Sequence, residues 1–253
     1  MERGALHAVR HGDGRPVLVL HGAGVDHREP EACFEPTLDR PGLRRVYPDL
    51  PGMGRSPAPP SIRSTDDVLH VLLEFVREEC GDEPFLLIGH SWGAYVARGI
   101  AARLPDQVAG LALVCPLLGL DDDVPEHRVV EGDGALGDEV FRSYFVVQTP
   151  EMLERYERFV APSAHLVDEE ALERIGGSWG LSLVAEPYPG PTLVVAGRLD
   201  SSVGYRAAAD LVDVHPRATV AVVDDAGHAL PHEQPALLAA LVDHWLERTE
   251  APR

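Results

Sequence analysis

Short apolar runs alternate with helix-period segments along most of this chain, and that alternation constrains the fold more than any other feature. Pro16–Leu20, Pro84–Ile88 and Val108–Cys115 carry apolar residues at nearly every position, and Leu43–Tyr47 is a further strand-length segment. Runs of this kind suit strands buried on both faces, as in a parallel sheet. Between them lie helical patterns at Glu31–Leu38, at Thr65–Cys80 and from Ala94 onward. In the second of these Val68, Leu72, Phe75, Val76 and Cys80 form one face, with Ser64 or Thr65 placed to cap it. Parallel neighbours need crossover connections, so the chain reads as α/β: a mostly parallel, doubly wound sheet with helices on both faces.

From Pro116 to Pro189 the rhythm breaks. Helical patterns at Asp138–Gln148, Pro150–Val160 and Asp168–Ile175 follow one another with no buried strand between them. The alternation then resumes with strand Thr192–Ala196, helix Tyr205–Val214, strand Thr219–Val223 and helix Pro235–Arg248. The expected organisation is one α/β core, residues 1–115 and 190–253, with residues 116–189 inserted in it as a helical cap. A chain of 253 residues with 45% hydrophobic content can bury one large core of this kind.

A formal charge of −19 disfavours nucleic acid and anionic membrane as partners, because both would repel the chain at long range. No apolar run reaches membrane-spanning length, and Met1–His7 lacks the apolar centre of a signal peptide. The expectation is a cytoplasmic protein whose partner is a small molecule; nothing in the pattern addresses its oligomeric state. Cys33, Cys80 and Cys115 are odd in number, widely spaced and in apolar or helical settings. They read as small hydrophobes, with neither a disulfide frame nor a metal site expected.

Gly89-His90-Ser91-Trp92-Gly93 lies where a buried strand gives way to a helix. A sharp turn there leaves no room for side chains on the flanking positions and lifts the serine hydroxyl above the sheet edge. Asp200 and His228 each follow a strand of the resumed sheet, at the carboxyl edge where sites form in open parallel sheets. Ser91, Asp200 and His228 would then act as nucleophile, acid and base, with His228 taking the hydroxyl proton and Asp200 orienting its ring. Asp121–Asp123 are the reserve acid, and a helix cap is the alternative role for Asp200. His232 is the rival base, although its place beside the last helix favours a surface or capping role. Asp224 and Asp225 are too near His228 in sequence to reach behind its ring. His21-Gly22-Ala23-Gly24 follows the first long buried strand, and the backbone N–H groups of Ala23 and Trp92 are the candidate oxyanion donors. No cofactor or metal is called for.

Taken together these residues resemble the α/β-hydrolase fold superfamily, in its capped serine-hydrolase form, over nearly the whole chain. Asp49-Leu50-Pro51-Gly52-Met53-Gly54-Arg55-Ser56 also resembles that family's Asp-x-Pro-Gly-x-Gly-x-Ser loop, and Gly227-His228 with Glu233 and Pro235 its histidine loop; both are read as structural. The resemblance implies an acyl-enzyme mechanism and a pocket covered by residues 116–189. Serine at the elbow sets the chain apart from similar dehalogenases and epoxide hydrolases, which place aspartate there. The leading expectation is a cofactor-independent serine hydrolase for a small ester, thioester or lactone. The alternatives are a carbon–carbon bond hydrolase of a vinylogous diketone and a small-molecule binding protein on the same fold. Phe141, Tyr144, Phe145, Tyr156 and Trp179 are the cap aromatics available to line a pocket or to pack a core.

Overall fold

The computed structural model describes residues 6–119, 124–132, 134–182 and 187–250. Seven strands form one sheet: β1 Ala8–His11, β2 Gly14–Leu20, β3 Gly42–Pro48, β4 Phe85–His90, β5 Val108–Val114, β6 Thr192–Gly197 and β7 Ala218–Val223. Their order is β1-β3-β2-β4-β5-β6-β7, parallel throughout except that β1 pairs antiparallel with β3. The central strands β4 and β6 are buried at every position, which is why they read as continuous apolar runs. The edge strand β1 escaped the sequence reading. It has four residues, none fully buried, and so carries no apolar run.

The helices on the sheet are α1 Arg28–Leu38, α2 Thr65–Cys80, α3 Trp92–Arg103, and, after the insertion, α7 Arg206–Ala209, α8 Leu211–Val214, α9 Leu230–Glu233 and α10 Pro235–Glu250. Helix α2 has the bounds its periodicity predicts, and Ser64 caps it by accepting from Asp67 N. The helix expected over Tyr205–Val214 is two short pieces, divided at Asp210, where Asp213 N bonds three residues back instead of four.

Between β5 and β6 lie α4 Glu139–Tyr144, α5 Pro150–Phe159, a 3-10 turn Ala161–Leu166 and α6 Glu169–Gly176. Phe141, Phe145, Met152, Tyr156 and Val160 form a separate apolar cluster that rests on Val25 and Ala229 of the core. Helix α6 instead sends Ala171 and Ile175 into the main core, and Arg174 donates to the carbonyls of Ala58 and Ile62. The helix expected over Asp138–Gln148 stops at Tyr144, since Phe145 is extended and the next two amides leave the helical ladder. Both donate to the Glu233 carboxylate, Val146 N at 2.7 Å and Val147 N at 3.1 Å. Among the described residues no helix is long and apolar enough to cross a membrane.

Candidate active site

Ser91 stands between the last residue of β4 and the first of α3, with φ 55° and ψ −122°. A side chain in this backbone region is strained and persists only where the surroundings hold it. The flanking glycines are sterically required. A Cβ on Gly89 would lie 2.5 Å from Ala94 Cα, and one on Gly93 would lie 2.3 Å from the His21 carbonyl oxygen.

The loops after β6 and β7 bring two further groups to this turn. His228 Nε2 lies 3.0 Å from Ser91 Oγ, and His228 Nδ1 lies 2.8 Å from Asp200 Oδ2. The other Asp200 oxygen accepts from Ser202 N at 2.9 Å and Val203 N at 3.0 Å, so this wholly buried carboxylate is oriented on both sides. Burial disfavours charge on both partners. The His228 charge and hydrogen bonds nevertheless hold the Asp200 carboxyl below its ordinary value, and Asp200 raises the pKa of His228. Ser91, Asp200 and His228 thus form one hydrogen-bonded chain. The reserve acids Asp121–Asp123 lie outside the described residues, and Asp224 is exposed and pairs with Arg198.

Gly22, Ala23 and Gly24 line the same cavity as Ser91 and His228. Trp92 is the first residue of α3, so its N–H belongs to the helix-opening set that has no intrahelical acceptor. His21, fully buried, sets the loop's path: its Nδ1 donates to Gly22 O at 2.6 Å and its Nε2 accepts from Leu50 N at 2.8 Å. Asp49 anchors the facing loop. It accepts from His27 N and Nδ1, His7 Nδ1 and Arg55 N, and a Cβ on Gly54 would lie 2.3 Å from its carboxyl carbon.

The cavity has a volume of about 750 Å³. Of the cap aromatics only Tyr144 and Tyr156 reach its wall. Phe141 and Phe145 are fully buried in the separate apolar cluster formed by α4 and α5, and Trp179 packs on Tyr95 at 5.5 Å. The wall also carries Glu29 and Glu126 and, among the described residues, no arginine. The chain has no lysine at all.

The surface role expected for His232 is overturned: it is fully buried, between Cys33 at 3.6 Å, Glu29 at 3.4 Å and Arg155 at 3.3 Å. It faces α1 and the cap, and His228 alone meets Ser91. The three cysteines are free and buried. Glu29 is the residue that sequence reasoning missed as part of the site, whereas Glu233 was named with the histidine loop and read as structural. An acidic residue in a first helical turn, as Glu29 is in α1, ordinarily signifies only a favourable dipole contact. Glu233 ties the histidine loop to the segment after α4, since Gly227 N donates to its second oxygen at 2.8 Å while Val146 and Val147 hold the first.

A serine on a strained strand-to-helix turn after β4, backed by aspartate and histidine from the loops after β6 and β7, defines an α/β-hydrolase type of site. The chain belongs to the alpha/beta hydrolase family, whose model matches residues 17–241. It is 30% identical over 259 residues to the biotin biosynthesis bifunctional protein BioHC of Cellvibrio japonicus, covering 92% of this chain and 48% of that protein. The chain spans about half the length of curated relatives of this kind. Its structure is similar to that of an alpha/beta superfamily hydrolase from Oenococcus oeni, with a TM-score of 0.89, 27% identity and 97% of both chains covered. A thermophilic esterase from Thermogutta terrifontis matches with a TM-score of 0.70 and 25% identity, covering 97% of this chain and 94% of that one.

Proposed function

We propose that this alpha/beta hydrolase is a cofactor-independent serine hydrolase that cleaves a small ester, thioester or lactone through an acyl-enzyme. The observation that carries this reading is the unbroken Ser91–His228–Asp200 chain at 3.0 and 2.8 Å beside an open cavity. Ser91 Oγ attacks the carbonyl carbon while His228 Nε2 takes its proton, and Asp200 stabilises the imidazolium that forms. The tetrahedral oxyanion is held by the N–H groups of Ala23 and Trp92, each worth about 3 kcal/mol of barrier lowering in sites of this type. His228 returns the proton to the leaving oxygen or sulfur, leaving the acyl group on Ser91. Water, deprotonated by His228, then releases the acid and restores the serine. Helices α4 and α5 serve as the cap that walls the pocket.

The carbon–carbon alternative fits this wall less well. Such a cleavage expels an enolate, whose charge would have to develop in a wall that carries Glu29 and Glu126 and, among the described residues, no arginine, so that histidines are its only basic side chains. A fluorophosphonate probe tests the assignment: it should label the wild type stoichiometrically at Ser91 and leave Ser91→Ala unlabelled. Stoichiometric labelling of Ser91→Ala would overturn it, as would a protein that binds esters but turns none over.

A further inference from the structure

Beside the nucleophile two buried residues, Glu29 and His90, bring hydrogen-bond acceptors within 3.9 Å of each other. Glu29 is 3% exposed and His90, the residue before Ser91, is 4% exposed, and both line the cavity. Glu29 Oε1 is fully engaged, by the Tyr144 hydroxyl at 2.6 Å and by His232 Nε2 at 3.4 Å. Its Oε2 has no hydrogen-bond partner. His90 Nδ1 lies 3.9 Å from it. His90 Nε2 lies 3.1 Å from the His228 carbonyl, which can only accept, so the ring carries its proton there and Nδ1 is bare. Burial keeps His90 neutral by pushing its pKa down to about 4. Burial also opposes charge on Glu29, but the hydrogen bond and charge of His232 and the Tyr144 hydroxyl outweigh it and hold its carboxyl below the ordinary value. Two acceptors 3.9 Å apart, one of them anionic, require a donor.

We infer that Glu29 Oε2 and His90 Nδ1 form a subsite for a protonated amine carried within a few bonds of the scissile carbonyl. On the serine-hydrolase reading above, on which this inference rests, the substrate is an aminoacyl-type ester or amide. A nitrogen at ordinary hydrogen-bond length from both atoms subtends roughly 85° between them, close enough to the tetrahedral angle for two N–H bonds of one ammonium group. A hydroxyl has a single hydrogen and would leave one acceptor bare. The subsite adjoins the reaction centre: a methyl group on Gly22 would stand 3.6 Å from both Ser91 Oγ and His90 Nδ1, so the two atoms face one small space that Gly22 leaves open. The wall, acidic and without arginine among the described residues, suits a cation.

A water molecule also has two hydrogens, and calorimetric binding separates the two occupants. The probes are alaninamide and propionamide, titrated near pH 6.5, where the amine of the first is protonated. Wild type is expected to bind alaninamide at least tenfold more tightly than propionamide, with the preference falling below twofold in Glu29→Gln. Equal binding of both amides to wild type, or a preference that survives the substitution, overturns the subsite and leaves only a fixed water there. Should Glu29→Gln fail to fold, the wild-type pair still decides. The 4-nitrophenyl esters of alanine and propionate, each normalised to its rate with hydroxide, should show a kcat/KM ratio that drops at least tenfold in the same variant. Fluorophosphonate labelling at Ser91 without an amine preference rejects the subsite alone; an amine preference without labelling rejects the hydrolase reading alone.

Discussion

His228 Nε2 lies 3.0 Å from Ser91 Oγ although the two are 137 positions apart in the chain, and the ring is held there through its other nitrogen and through the backbone beside it. Asp200 grips Nδ1 and Glu233 grips the amide of Gly227, the residue before the histidine. The two carboxylates do different work, and they can be separated experimentally.

Asp200→Asn keeps the shape of the side chain but removes its charge and favours the wrong histidine tautomer. With 4-nitrophenyl acetate, kcat should fall about 10³- to 10⁴-fold, while circular dichroism and the melting temperature stay close to wild type. A loss of less than tenfold would mean that another acid serves His228.

The acid limb of the pH profile follows from the sign of the His228 shift. The base must be neutral to accept the Ser91 proton, and Asp200 raises its pKa above the ordinary 6.5. The kcat/KM of the free enzyme should therefore rise with pH and reach half its plateau above 6.5. Asp200→Asn should move that midpoint to lower pH. A flat profile, or a midpoint that stays put in the variant, would detach His228 from the chemistry.

Glu233→Ala should leave the buried amides of Gly227 and Val146, and the partly buried amide of Val147, without an acceptor. The expected loss is about 2–4 kcal/mol of folding stability, measured by urea unfolding. Turnover should fall as well, because the same carboxylate positions the His228 loop, and Glu233→Gln should recover part of both. Unchanged stability in Glu233→Ala would show that water replaces the carboxylate.

Gly89→Ala places a methyl 2.5 Å from Ala94 Cα, against backbone that cannot yield. Overpacking of this kind costs about 1–3 kcal/mol and would shift the Ser91 turn, so labelling should slow. Gly176, the last residue of α6, has nothing within 4 Å of the corresponding position. Gly176→Ala should be neutral or stabilising by up to about 1 kcal/mol. Thermal denaturation of the two variants checks the contrast.

Much of the fold was legible because its signals are local. Buried strands in a parallel sheet show as apolar runs, α2 shows as a 3.6-residue stripe, and the glycines around Ser91 mark a turn that admits no other residue. What was missed lacked a local signal. Strand β1 has no buried residue, and α4 ends early because Val146 and Val147 donate to Glu233, a partner 87 and 86 residues away. His232 misled for the same reason: the groups that bury it come from α1 and α5, and its own neighbours in sequence resemble an ordinary helix start.

The amino-acid sequence by itself determined the α/β alternation, the elbow with Ser91 at its tip, and the order of serine, aspartate and histidine along the chain, each just past a strand. These depend on side-chain volume, backbone freedom and periodicity over a few residues. Only the tertiary structure decided which carboxylate meets His228, which cap aromatics face the cavity, and that Glu29 leaves one oxygen bare beside His90. Those outcomes depend on distances between segments far apart in the chain, where a shift of about 1 Å separates a hydrogen bond from none.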